Sequence, residues 1–222
     1  MFKKHIFFSL LPGAIFFLLL SCFPVWSLQV DDVRLQAILS QGPDQRPLSY
    51  PTAIFFDQEA DEVYVVDTGN SQLVLFNRSG YPTDAVGRGR GLENIVSGLR
   101  YEKKLYVCCG SSQNFPAGHI NILNNAFFSE QLLVLEEALP QQKPFVVRQV
   151  MAGSNDTFYV LQNGNSGISV FDTRWNFLRQ ISTHYEHLGV REPAKIINMA
   201  QDRNHTMYFL SEQWGRVFVY DK

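Results

Sequence analysis

The feature that most restricts the fold of this 222-residue chain is a pattern that returns four times at nearly constant spacing. Short apolar runs close on a polar residue at Leu73-Val74-Leu75-Phe76-Asn77, Ile120-Asn121-Ile122-Leu123-Asn124, Ile168-Ser169-Val170-Phe171-Asp172 and Val217-Phe218-Val219-Tyr220-Asp221. Their ends are 47, 48 and 49 residues apart. Each run follows a partner bearing a tyrosine: Tyr64-Val65, Tyr106-Val107, Tyr159-Val160 and Tyr208-Phe209. These tyrosines are 42, 53 and 49 residues apart, so the variation sits in the turns, chiefly residues 110–118. Valine, isoleucine and aromatic residues suit a pleated, half-buried surface. No segment of residues 28–222 sustains a period of 3.6, so no substantial helix is expected there. A period in the forties built of short strands is the signature of propeller blades, which bury their faces by stacking on one another. The expected fold is all-β: a β-propeller of about four blades, each a four-stranded antiparallel sheet.

The first copy has the clearest turn. Asp67-Thr68-Gly69-Asn70-Ser71 joins two apolar runs. Gly69 is expected at positive φ, and Asp67 and Asn70 are expected to hydrogen-bond nearby backbone. With Pro51-Thr52-Ala53-Ile54 upstream, Tyr64-Val65-Val66-Asp67-Thr68-Gly69-Asn70-Ser71-Gln72 resembles the NHL repeat, a proline-led strand followed by "YVADTGNNRI". The third copy keeps Gly164-Asn165-Ser166-Gly167 but has Gln162 where that family has Asp. The second and fourth keep only the strand frame, with Cys108-Cys109-Gly110 and Ser211-Glu212-Gln213-Trp214 in the turn. The resemblance extends over residues 33–222. It implies a binding platform, usually of six blades, rather than a particular chemistry.

Residues 1–27 stand apart from this pattern. Lys3 and Lys4 precede an apolar stretch over residues 6–20, interrupted by Pro12-Gly13, and small or polar residues follow. That is the layout of a secretory signal peptide, and it falls short of the roughly 20 residues a spanning helix needs. Leu19-Leu20-Ser21-Cys22 resembles a bacterial lipobox, which makes Cys22 a candidate lipidated N-terminus. Val25-Trp26-Ser27 offers an alternative cleavage site, and an uncleaved anchor is a third possibility. The expected address is the bacterial cell envelope, as a membrane-anchored lipoprotein or a periplasmic or secreted protein. Residues 28–222 then form one domain, which 45% apolar and 14% aromatic content can supply with a core. A formal net charge of −2 with scattered basic residues argues against a nucleic-acid partner. Of the cysteines, Cys108 and Cys109 are adjacent. Neighbours on a strand face opposite ways, so they read as two packed thiols rather than a redox pair.

In chain order, residues 33–39 read as a strand and 41–49 as a loop. Blade one takes strands at 53–57, the signature hairpin and 83–86; Gly87-Arg88-Gly89-Arg90-Gly91 crosses to blade two. That loop lacks GxGxxG spacing and a following helix, so it reads as a crossover rather than an anion site. Blade two takes 95–96, 105–109, 119–123 and 132–136, with a linker at 140–144. Blade three takes 145–151, 158–161, 168–171 and 177–181. Blade four takes 195–200, 207–210 and 217–220.

Chemistry-bearing residues are sparse. His184-x-x-His187, with Glu186 and Glu192 nearby, falls between blades three and four. Two histidines fall short of the three or four converging ligands a metal site needs. Asp67, Asp172 and Asp221 end strands and are expected to bond turns rather than to act as acids or bases. The sequons at Asn77, Asn155 and Asn204 are read as chance in a bacterial chain. No catalytic residue, metal ligand or cofactor is expected. Asp57, Asn94, Arg148 and Asn198 fall near the ends of the innermost strands, a mixed set without histidine. The preferred function is therefore a non-catalytic binding platform for a protein or glycan on one propeller face. The alternative is a propeller enzyme of the lyase or hydrolase type with a metal in the central channel.

Closure of the ring is the remaining question. Blade four offers three strands, and residues 33–39 precede blade one. Pairing these ends would close four blades. Otherwise the chain is part of a six-bladed ring, open or completed by dimerisation.

Overall fold

The computed structural model describes residues 34–221 apart from 137, 140–144, 155, 164–166 and 188. The signal-like segment, Cys22, Val33, the linker at 140–144 and the turn Gly164-Asn165-Ser166 lie outside the described residues. The chain divides into two units, Met1–Gln36 and Ala37–Lys222. Residues 34–36 of the first carry no regular structure.

In the second unit, four antiparallel sheets stand in a ring, the arrangement of a four-bladed β-propeller. Blade one comprises β1 (Pro51–Asp57), β2 (Glu62–Asp67), β3 (Gln72–Asn77) and β4 (Pro82–Gly87), ordered from the centre outward. Blade two comprises β5 (Ile95–Tyr101), β6 (Lys104–Cys109), β7 (His119–Leu123) and β8 (Ser129–Leu133). Blade three comprises β9 (Val147–Ala152), β10 (Thr157–Gln162), β11 (Gly167–Asp172) and β12 (Phe177–Ser182). A separate hairpin of β13 (His184–His187) and β14 (Val190–Pro193) follows. Blade four has three strands, β15 (Asn198–Gln201), β16 (Met207–Ser211) and β17 (Arg216–Tyr220).

Alternation along the strands decides what each blade touches. Tyr64 and Val66 on β2, with Leu73 and Leu75 on β3, face blade two and pack against Ile95, Leu105 and Val107. Tyr106, Cys108, Ile120 and Ile122 face blade three and meet Val150, Phe158 and Val160. Tyr159, Leu161, Ile168 and Val170 face blade four and meet Met199, Met207 and Phe209. The core is thus three stacked inter-blade layers. Each fully buried aliphatic or aromatic side chain in them contributes about 1.5–3 kcal/mol. Rings reinforce the layers: Phe55 stacks on Tyr64 at 4.9 Å, and Phe158 on Trp175 at 4.6 Å.

The polar residue that ends each of the first three repeats has a mechanical role. The Asn77 side chain accepts from the backbone N–H groups of Ser79 and Tyr81, both at 3.0 Å. Asn124 accepts from Ala126 and Phe128, and Asp172 from Arg174 and Asn176. Residues two and four positions on are held in every case, and the residue three positions on has positive φ: Gly80 at 76°, Phe127 at 58°, Trp175 at 65°. The side chain satisfies turn donors that the ladder leaves unpaired. Asp172 bonds turn backbone as expected, and these bonds hold its carboxyl below the usual range.

Three expectations about the strands fail. The outer strand of blade two runs over Ser129–Leu133, earlier than residues 132–136, because the Asn124 cap ends its turn at Phe128. This strand is largely exposed, so it needs no apolar pattern, and the buried Leu135 that suggested a strand lies beyond it. The segment read as a loop around His184 is the β13–β14 hairpin, pinned by Thr183, whose hydroxyl donates to the Ala194 carbonyl at 2.8 Å. Among the described residues, 37–39 form no strand and β17 stays at the edge of its sheet, so residues 37–39 do not close blade four. Leu39 instead packs with Leu48 over Val65, Val74 and Phe76 on the other face of blade one. That face is apolar, and the local chain covers part of it.

Candidate functional site

The inner strands β1, β5, β9 and β15 all run the same way, so their starts gather at one rim. A cavity of about 550 Å³ opens there, lined by Thr52, Thr68, Asn94, Ser97, Arg148 and Asn198 among others. Each of the three blade junctions at this rim is crossed by a side-chain hydrogen bond. The Thr68 hydroxyl of blade one donates to the Ile95 carbonyl of blade two at 3.1 Å. The Ser97 hydroxyl donates to the Arg148 carbonyl of blade three at 2.8 Å. The Gln149 amide donates to the Met199 carbonyl of blade four at 2.8 Å and accepts from the Met199 N–H at 2.9 Å. These bonds set the spacing of the inner strands and hence the width of the cavity. Arg148 is half-buried, and among the described residues its guanidinium has no hydrogen-bond or ion-pair partner.

Of the four strand-end residues picked from the sequence, Asn94, Arg148 and Asn198 line this cavity. Asp57 does not, because it ends β1 while the other three stand at the starts of their strands. Its buried carboxylate instead pairs with Arg100 Nε at 3.1 Å and accepts from the Glu59 and Ala60 N–H groups. Arg100 also donates to Asn125 Oδ1. Thr52, at the start of β1, is the counterpart of these three that the sequence reading missed, and matching strand starts rather than ends would have found it.

The signature turn sits beside the rim. Asp67 is wholly buried, and it accepts from Ser49 N–H at 2.6 Å, Asn70 Nδ2 at 2.7 Å and Gln72 Nε2 at 2.9 Å. Asn70 also donates to the Pro47 carbonyl at 3.0 Å. The turn is thus bound to the loop before blade one as well as to itself. Gly69 does not take positive φ; Ser71 does, at 52°. Residues 68–70 form a short 3-10 turn whose left-handed closure falls one step later, on Ser71. Glycine is required at 69 because of a close approach: an added Cβ would stand 2.6 Å from the Ser49 carbonyl oxygen, which accepts from Gly69 N–H at 2.8 Å.

A second cavity of about 400 Å³ lies between the crossover after blade one and the turn after β6, lined by Ser71, Arg88, Glu93, Ser112 and Asn114. Hydrogen bonds from Ser112 and Asn114 hold the Glu93 carboxyl below its ordinary range. Arg90 lies over the Phe128 ring at 3.9 Å, so the two crossover arginines point to different neighbours. Among the described residues no three histidine, cysteine or acidic side chains converge as metal ligands. His184 Nδ1 lies 3.4 Å from Arg191 on the facing strand. His119 is fully buried against Phe115, and burial pulls its pKa down. Cys108 and Cys109 are buried free thiols on opposite faces of β6, pushed up to about 12 by burial.

No protein-family model matches the chain, and no curated protein matches it. Solved structures do. A streptogramin B lyase superposes with a TM-score of 0.53 at 10% identity, over 84% of this chain and 56% of that one. A luciferin-regenerating enzyme gives 0.51 at 14%, over 77% and 55%. The extracellular domain of a hybrid two-component system from B. thetaiotaomicron gives 0.51 at 13%, over 83% and 23%. The chain spans little more than half the length of the two enzymes. At these identities the likeness is one of fold, and it places the chain among the β-propellers.

Proposed function

We propose that this chain is an NHL-type binding platform of the bacterial cell envelope, which takes a protein or glycan partner at the rim where the inner strands begin. The observation that carries this reading is Arg148. It is the one charged residue among those lining the cavity, where hydroxyl and amide groups from all four blades alternate with apolar side chains such as Ile54, Phe55 and Ile197. Neutral donors and acceptors around one cation recognise rather than transform, and a guanidinium forks onto a carboxylate with two parallel hydrogen bonds. The favoured ligand is thus an acidic glycan or an acidic side chain of a protein. The fold itself serves many functions, so the cavity and not the propeller carries the reading.

Binding of an array of acidic and neutral glycans, and of acidic peptides, is compared for the wild type and Arg148→Ala. Retention of acidic ligands should fall at least tenfold in the variant. Turnover that depends on a stoichiometric bound metal would replace this reading with the enzymatic one. Anchoring is tested separately. Cys22→Ala should move the protein from the membrane fraction to the soluble one, because acyl chains supply the attachment. A wild-type protein that is soluble and begins at Leu28 would refute the lipoprotein assignment.

A further inference from the structure

The second cavity, of about 400 Å³, has no part in the function proposed above, and its walls come from residues 71–114 alone. Two segments of chain build it. Leu92 and Ile95 are fully buried in the layer between blades one and two, which leaves Glu93 and Asn94 at the surface between these two anchors. Asn94 takes a positive φ of 48° and is bound twice to the turn after β6. Its carbonyl accepts from Gly110 N–H at 2.8 Å, and its side-chain amide donates to the Ser111 carbonyl at 2.9 Å. The turn also closes on itself: Ser112 N–H donates to the Phe115 carbonyl at 2.7 Å, and Phe115 N–H to the Ser112 hydroxyl at 3.1 Å. Crossover and turn are thus fixed to each other before any ligand arrives, which lowers the cost of binding.

Two opposite charges line this cavity without forming an ion pair. Glu93 accepts from Asn114 Nδ2 at 2.7 Å and from the Ser112 hydroxyl. These bonds aim the carboxylate and keep it ionised, and they leave about half of its roughly four acceptor sites open. Arg88 begins the 3-10 turn Arg88–Arg90 and is exposed. Among the described residues its guanidinium has no hydrogen-bond or ion-pair partner. Each charge still lies in the other's field, since Arg88 helps to hold the Glu93 carboxyl down. The remaining walls are hydroxyl and amide side chains, with no apolar one. A lone anion would be repelled by Glu93 and a lone cation by Arg88. An apolar ligand would strand the polar walls. A ligand that carries both charges fills the gap that the two side chains leave between them.

We propose that this cavity binds a zwitterion, an α-amino acid or a short peptide, with its carboxylate on Arg88 and its ammonium on Glu93. The guanidinium forks onto the carboxylate with two parallel hydrogen bonds. The ammonium brings three donors, which meet the open sites of Glu93 and the amide oxygens beside it. Asn94 borders both cavities, so the two lie side by side. Their charged residues differ, Arg148 in the first and Arg88 with Glu93 in the second, and the two sites are independent.

The full chain is titrated calorimetrically at neutral pH with the common amino acids and with dipeptides. At least one should bind, and preference for either class supports the proposal and names the source of the ligand. For the tightest ligand, blocking the amine by acetylation or the carboxylate by amidation should weaken binding by about tenfold or more. Arg88→Gln should weaken the parent ligand by a similar factor and erase discrimination against the amidated form, while discrimination against the acetylated form persists. Glu93→Gln should do the converse. Arg88 is exposed and unbonded, and in Glu93→Gln the side-chain oxygen can still accept from Asn114, so both variants should keep wild-type circular dichroism and thermal unfolding. Arg148→Ala should leave this binding unchanged, which separates failure here from failure at the first cavity. The proposal is overturned if no amino acid or dipeptide binds at millimolar concentration, or if the blocked forms bind as well as the parent. Binding that Arg148→Ala abolishes and Arg88→Gln does not would overturn it too.

Discussion

Asp67 is where a single substitution should reveal most about this fold. Its carboxylate is wholly buried and holds three donors at 2.6, 2.7 and 2.9 Å. Asp67→Ala removes all three bonds. A hydrogen bond to a charged group is worth about 1.5–3 kcal/mol, and a stranded buried donor costs about 1–3 kcal/mol. Asn70 keeps its bond to the Pro47 carbonyl, so its loss is partial. Ser49 N–H has no such reserve. The removal of a buried charge offsets part of the loss, because the carboxylate is costly to desolvate. A net destabilisation of about 3 kcal/mol follows. For a domain of this size that lowers Tm by roughly 6–12 °C. Asp67→Asn should cost about half as much: one oxygen still serves Ser49, but an amide then confronts the amides of Asn70 and Gln72. Urea unfolding monitored by tryptophan fluorescence gives the free energies, and limited proteolysis near Pro47 reports release of the loop. A loss below about 1 kcal/mol for Asp67→Ala, with the loop still protected, would refute the idea that this carboxylate ties the loop to blade one.

Three further outcomes follow from the same structure. Gly69→Val should destabilise by more than about 1 kcal/mol through its clash with Ser49, and Ser49→Gly in the same chain should restore part of that loss, which strain at φ would not allow. Arg100→Ala should cost about 3 kcal/mol by leaving the Asp57 carboxylate buried without its partner, whereas Arg78→Ala, at the exposed pair with Asp61, should be nearly neutral in the same unfolding assay. Stability should fall as pH rises from about 9 toward about 12. In that window the unfolded thiols of Cys108 and Cys109 ionise while the folded ones stay protonated, giving a slope of up to about 2.7 kcal/mol per pH unit, and native protein at pH 8 should resist thiol reagents at both positions.

Periodicity is a property of the backbone, and everything that depends on it could be read from the residues alone. The spacing of Asn77, Asn124 and Asp172 located the blades. Alternation within β2, β6, β10 and β16 settled which side chains share a face. The same polar residues announced their turns, because an Asx side chain reaches only the next few N–H groups. Partners distant in sequence were not legible, since nothing local encodes them. Asp67 finds Ser49 because the loop before blade one folds back on the turn, and Asp57 finds Arg100 and Arg148 the cavity because strands from different blades are brought together by packing. Gly69 shows the difference at one position. Its glycine was legible as a turn residue, but the reason for it, a carbonyl from a loop twenty residues earlier, exists only in the assembled fold. The exposed faces of blades one and four belong to the same category. The repeat specifies an apolar surface on each side of every blade, and tertiary structure alone decides that, among the described residues, Val219 and Ile54 stay exposed.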